Sequence, residues 1–157
     1  MNKIKIECTE AVKVEINDSG FYIELNPLDT DFPLRIEKAT NALSKLEEKL
    51  EQEIFLIDKR EDVPDGLLTR NTRDKLLKYK EYNNECGKVI DNLFGEGTSK
   101  ACFGNKNYLG MYNDLFDSLT PIMKDVYGDA NKLLETIKAK YSKKDSDVLS
   151  WEHILLK

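Results

Sequence analysis

Apolar and polar residues alternate one for one at the start of this chain, then change to a three-four spacing that lasts almost to its end. Ile4, Ile6 and Cys8 alternate with Lys3, Lys5 and Glu7. Val12, Val14 and Ile16 alternate with Lys13 and Glu15, and Phe21, Ile23 and Leu25 with Tyr22 and Glu24. A period of two puts one set on a buried face and the other in water. Asn17-Asp18-Ser19-Gly20 separates the last two runs with residues that tolerate turns, and glycine accepts positive φ. The pattern predicts a hairpin over about residues 12 to 25, with 3–8 as a further strand. Two or three short strands make no core alone, so they must lie against helices.

Asn26 to Asp31 reads as a loop. Asp31 is placed to cap the next helix, and Pro33 suits its first turn, where a missing N–H costs nothing. This helix is predicted to run to about Asp58. Its stripe is Ile36, Ala39, Leu43, Leu46, Leu50 and Ile54 or Ile57, which fits a helix–helix seam. Lys45 with Glu48, and Lys49 with Glu53, stand at ion-pair spacing. Glu47, Glu48, Glu51 and Glu53 read as a solvated acidic face. A helix of about 26 residues is roughly 39 Å long, so it spans the fold or reaches toward a partner.

Asp58 to Gly66 is a charged stretch broken by Pro64 and Gly66. The second helix is predicted to start at Thr69 or Thr72 and to carry Leu76, Tyr79, Cys86, Val89 or Ile90, and Leu93. Asn83 takes a seam position, and Gly87 offers close approach to another helix. Phe94 to Gly104 is the densest glycine cluster and reads as a bend where helical arms meet. Gly95, in a left-handed cap, and Gly104 each end a helical piece. Thr98 caps a short turn, and Phe94 and Phe103 anchor it. A third helix is predicted from Asn105 or Asn107, with Leu109, Tyr112, Leu115 or Phe116, Leu119 and Met123 on its stripe. Pro121 is expected to break it near Ser118-Leu119-Thr120. The pattern resumes through Val126, Leu133, Leu134, Ile137 and Tyr141, with Gly128-Asp129 as another interruption. Ser142 to Asp147 is polar, and the tail from Val148 carries Trp151, Ile154, Leu155 and Leu156. The expected fold is α+β and mainly α, with an N-terminal β-hairpin of two to three short strands packed on a bundle of long helices. Residues 1–141 form one domain; 142–157 are a polar linker and short tail.

Composition narrows the classes. A chain of 157 residues, 40% apolar and 34% charged, can build a core without disulfides or metals. The net charge of −5 argues against nucleic-acid binding, which needs Lys and Arg against phosphate. Cys8, Cys86 and Cys102 are too scattered for a disulfide framework. No apolar run reaches a membrane span, and the amino terminus has no signal-peptide core. The expectation is a reduced cytoplasmic protein with no membrane association.

No catalytic centre assembles along the chain. His153 is the single histidine, which excludes the usual zinc patterns and leaves no positioned serine–histidine pair. Asp29-x-Asp31 and Asp145-x-Asp147 lack the glycine and distant glutamate of a calcium loop. Gly95-Glu96-Gly97-Thr98-Ser99-Lys100 has the wrong order for a nucleotide loop and follows a helix. Backbone N–H groups at Gly97-Thr98 could still form an anion nest. The sequence therefore predicts no enzyme activity and no catalytic, metal-binding or cofactor-binding residue.

Asp91, Leu93, Phe94, Gly95, Glu96, Gly97, Thr98, Phe103, Gly104 and Asn107 form a pattern of their own. An acidic residue and a hydrophobic pair lead into a Gly-Glu-Gly-Thr turn, then a Phe-Gly and an Asn-containing helix start. This resembles tail assembly chaperones of phages and prophages from low-GC Gram-positive bacteria, over roughly residues 10 to 140. The Lys- and Asn-rich composition agrees. The resemblance implies a non-enzymatic protein of the bacterial host cytoplasm that binds tape-measure and tail-tube proteins through helical surfaces. It is compatible with a homo-oligomer and with a longer frameshifted form. The seam of Ile36, Ala39, Leu43, Leu46, Leu50 and Ile54, and the turn from Phe94 to Asn107, are then the candidate functional residues. A second reading is a structural or adaptor tail protein of a mobile element, retained in the particle. A third is a small-anion or nucleotide binder at the glycine turn.

Overall fold

A computed structural model describes residues 1–6 and 11–128 and shows an α+β chain dominated by helices. Strands β1 (Val12–Ile16) and β2 (Phe21–Leu25) pair antiparallel, with Val14 opposite Ile23 and Ile16 opposite Phe21. The turn between them puts Asn17 and Asp18, as well as Gly20, at positive φ. Two consecutive left-handed residues match the right-handed twist of a hairpin, and Asn and Asp tolerate them best. Ile16, Ile23 and Leu25 are buried as their alternation predicts. The further strand does not form over residues 3–6, where Ile4 and Ile6 are 90% and 92% exposed. Alternation marks a face only where something covers it. Residues 7–8, including Cys8, lie outside the described residues.

Helix α1 (Phe32–Lys59) begins with Pro33 in its first turn. Asp31 does not cap it, because its own backbone is already helical at φ −85° and ψ −16°. Asp29 orders this entry instead. Its Oδ1 accepts the Asp31 N–H at 2.9 Å, and its Oδ2 pairs with Arg35 at 2.8 Å. The charged stretch after α1 forms a second hairpin, β3 (Pro64–Asp65) with β4 (Leu68–Thr69), turning at Gly66. Helix α2 (Arg70–Phe94) then runs back along α1. Thr69 caps it, its hydroxyl accepting the Thr72 N–H at 3.2 Å. The antiparallel pair places Phe32 near Phe94 at one end, and Asn71 against the Ile57 carbonyl at the other.

A short helix α3 (Thr98–Phe103) and a longer α4 (Met111–Tyr127) follow. Helix α4 does not start at Asn105 or Asn107. It starts after Gly110, whose φ of 75° turns the chain, and Asn107 instead accepts a hydrogen bond from the Asn83 amide. Pro121 does not break α4. The Thr120 hydroxyl donates to the Phe116 carbonyl at 2.6 Å, and that of Ser118 to the Asp114 carbonyl at 3.0 Å. Pro121 is exposed, so the carbonyl that loses its helix donor lies on the wet side. Gly128 ends the helix at φ 58°. The pattern through Leu133, Leu134, Ile137 and Tyr141, the polar linker, and the tail with Trp151 and His153 lie outside the described residues.

One apolar core joins the inner face of the first hairpin to α1, α2 and α4. It includes Leu25, Ile36, Leu43, Ile54, Cys86, Ile90, Phe116 and Met123. The Phe32 ring stacks on Tyr127 at 4.6 Å, which closes α4 over the start of α1. Asn83 bonds the loop before α4, and Gly87 lies beside Tyr112 of α4. Nearer the tip, Asn71, Lys75 and Lys78 of α2 bond or pair with α1, and Arg73 with Asp65. Asn71 to Lys78 rises about 12 Å. The described residues thus form a body with a two-helix arm.

Candidate functional site

The glycine turn folds α3 back onto α2. Gly95 ends α2 at φ 121° and ψ 150°, a region open essentially to glycine alone, rather than the left-handed cap that its position predicts. Gly97 at φ 90° precedes α3, with the Phe21 ring against it. Thr98 is fully buried, and its hydroxyl donates to the Gly95 carbonyl at 2.7 Å. The cap of α3 comes from α2: Asp91 Oδ1 accepts the Ser99 N–H at 2.8 Å. A carboxylate at a helix start is favoured by the unpaired N–H groups there. The Thr98 N–H meanwhile bonds the Gly95 carbonyl at 3.3 Å, so neither it nor the Ser99 N–H is open to an outside anion. At the other end of α3, the Asn17 amide donates to the carbonyls of Ala101 and Cys102 at 3.3 and 2.8 Å. Two side chains distant in sequence thus hold α3 between α2 and the first hairpin.

The motif residues do not all meet. Leu93 is buried in the core, Phe94 packs toward Phe32, and Glu96 is exposed. Asp91, Phe103, Gly104 and Asn107 come together along an open groove of about 280 Å³ between α2, α3 and the loop before α4. Asn83, Gly87, Ser99, Lys100, Lys106 and Tyr112 join them. Gly87 is required there. A Cβ on it would stand 2.9 Å from the Tyr112 hydroxyl and 3.3 Å from the Ser99 hydroxyl. Phe103 packs edge-on against Tyr108 and Tyr112. Burial, with Asp91 adding to it, pushes the Cys102 thiol up to about 11. Burial also raises Tyr112. Both stay protonated at neutral pH, so Cys102 lacks the thiolate that a reactive cysteine needs.

The candidate seam is committed inside the chain. Ile36, Ala39, Leu43, Leu50 and Ile54 are buried and Leu46 is half-buried, with α2 packed along α1. Glu47 is only 5% exposed, so it leaves the predicted acidic face. Its three-four spacing from Leu43 and Leu50 puts it on the seam. Lys45 and Glu48 are exposed, and the ion pairs form one turn further on. Lys49 and Lys78 each lie within 3.9 Å of Glu53 and Glu81, bridging the two helices. Nearer the tip, buried Lys75 pairs with Asp58 at 2.6 Å, and Arg60 with Asp74 at 2.8 Å. The Asn71 amide donates to the Ile57 and Arg60 carbonyls, satisfying the end of α1.

The outside of the arm carries four exposed large apolar residues among its charged ones. Phe55, Leu56 and Leu77 are 58%, 63% and 57% exposed, and Leu67 at the tip is fully exposed. The Lys59 ammonium covers part of the Phe55 ring at 4.3 Å. Residue-by-residue reading missed this surface, because a stripe search looks for the buried face.

Comparison with known families covers both the groove and the arm. Residues 19–147 match a family described as a family of unknown function (DUF6673), which is more than half of the 157 residues. The chain belongs to DUF6673. No curated protein and no solved structure matches it. The DUF6673 span takes in β2, both long helices, α3 and α4, and leaves out β1. Among the described residues no cluster of three or more His, Cys, Asp or Glu could hold a metal ion. No described helix is long and apolar enough to cross a membrane.

Proposed function

We propose that this DUF6673 chain is a non-enzymatic tail assembly chaperone of a phage or prophage, acting in the host cytoplasm on tape-measure and tail-tube proteins. The observation that supports the reading most is the arm. It is a helix pair stiffened by buried Lys75–Asp58 and by the Lys49–Glu53–Lys78–Glu81 network, yet it exposes Phe55, Leu56, Leu67 and Leu77. Single exposed apolar residues are ordinary; the neighbouring Phe55 and Leu56, with Leu67 at the tip and Leu77 on the facing helix, suit protein contact. Long helical partners such as tape measures would pack on such a surface as an added helix. The buried seam of α1 has no free area for this role.

The test is a pull-down of the tagged chain from cells carrying its native element, with partners identified by mass spectrometry. Capture of a long helical tape-measure protein is expected, together with absence of this chain from purified particles. Phe55→Ser with Leu56→Ser should abolish capture and leave melting unchanged. Recovery of the chain inside finished particles would instead make it a structural tail component.

A further inference from the structure

The groove between α2, α3 and the loop before α4 takes no part in the arm reading. The geometry points to it as a binding site for an acidic, extended peptide segment of a partner protein. Lys88, Lys100 and Lys106 line the groove, against one acid, Asp91. That acid is already engaged, since its Oδ1 accepts the Ser99 N–H at 2.8 Å. This local excess of positive charge sits on a chain whose net charge is −5. Glu85 holds Lys88 at 2.8 Å, which leaves Lys100 and Lys106 as the available cations.

Neutral polar groups line the groove beside these lysines. Tyr112 is 2% exposed, and its hydroxyl faces the groove beside Gly87. Burial keeps that hydroxyl protonated, so it can donate to a carboxylate oxygen. Exposed Asn84 and Asn105 each offer a donor and an acceptor, the pair that an extended main chain presents. The loop carrying Asn105 and Lys106 is tied down by the Asn83–Asn107 hydrogen bond, so these groups are held before any ligand arrives. The nearest backbone anion site, the start of α3, is filled by Asp91, so the groove suits a chain bearing several carboxylates rather than one enclosed anion.

A fluorescently labelled peptide alternating Glu and Ala, titrated by anisotropy against the full chain, tests this. Binding that weakens with added salt is expected. Lys100→Glu with Lys106→Glu should reduce affinity by about tenfold or more. Both lysines are exposed, so circular dichroism should report an unchanged fold. Lys38→Glu with Lys45→Glu, on α1, makes the same change in net charge and should retain affinity within about twofold once salt screens long-range effects. Equal loss in the two double variants would overturn the site. So would equal binding of a peptide alternating Gln and Ala, or no binding at all. Displacement by inorganic phosphate at concentrations below that of the peptide would reassign the groove to phosphate and also overturn the proposal. The groove variant should leave tape-measure capture intact, and the Phe55/Leu56 variant should leave peptide binding intact, so the two readings fail separately.

Discussion

Lys75 is 1% exposed on α2, with its ammonium 2.6 Å from the Asp58 carboxylate. Removing only the anion leaves the ammonium stranded away from water, whereas removing the lysine leaves the Asp58 carboxylate, whose side chain is 19% exposed, within reach of water. Asp58→Asn should therefore destabilise the fold by about 3 kcal/mol in urea unfolding, and Lys75→Met should cost much less. Equal losses in both would contradict this account. Asp29 gives a pH-dependent counterpart. The hydrogen bond from Arg35 leads the effects that hold its carboxyl below the ordinary value of 3.8. Its folded pKa is thus lower than its unfolded one. The stabilisation is complete above 3.8 and is lost as pH falls through that value toward the folded pKa. The melting temperature should drop on that acid limb, and Asp29→Asn should flatten it. The predicted stripe took Leu76 at this turn; Leu76 is half-buried, and Lys75, four residues before Tyr79, takes the buried place. Its chemistry hid it, because lysine is rarely buried without a partner, and the partner lies across a hairpin.

At the scale of elements, backbone geometry carries the specificity. Gly95 sits at φ 121° and Gly97 at φ 90°, and a Cβ on Gly97 would stand 3.1 Å from the Phe21 ring. Gly95→Ala and Gly97→Ala should each destabilise by about 1–3 kcal/mol, the cost of holding a side-chain-bearing residue there. Wild-type melting of both would show that the turn tolerates another path. Pro121 predicts the opposite sign. It lies exposed inside an unbroken α4, where proline is a poor helix residue. Pro121→Ala should raise stability by about 1–2 kcal/mol after the gain in unfolded-chain entropy is subtracted. The hairpin and the two long helices were legible, since their periods of two and three-four run for whole elements. The start of α1 was legible too, with Asp31 at the N-cap position and Pro33 in the first turn, although Asp29 rather than Asp31 supplies the side-chain bonds there. The start of α4 was not: Asn107 is a good capping residue type, but Gly110 decides where that helix begins.

For the whole molecule, arm and body divide the work. The body buries one core, and the arm presents apolar side chains that packing does not require. Phe55→Ser with Leu56→Ser should leave the unfolding transition within about 0.5 kcal/mol of wild type, as surface changes usually do. A larger loss would mean that the arm's outer face is covered by the chain itself. The glycine segment was expected to be the bend between two arms. The arm is instead formed by α1 and α2 around the small β3–β4 hairpin, and the glycine segment sits in the body, where Asp91 and Asn17 clamp α3.

Local pattern alone determined the α+β class, the β1–β2 hairpin with its turn, and the two long helices with their buried stripes. These follow from periods and backbone freedoms that act over a few residues. The tertiary structure decided the rest. It set Lys75 against Asp58, gave the cap of α3 to Asp91 and its far end to Asn17, and closed the α1 seam with α2. It also gathered Asn83, Gly87, Lys100, Lys106 and Tyr112 along one groove. The reason is physical: these pairings join residues far apart in the chain, and a side chain's partner is set by which surfaces the folded core brings together.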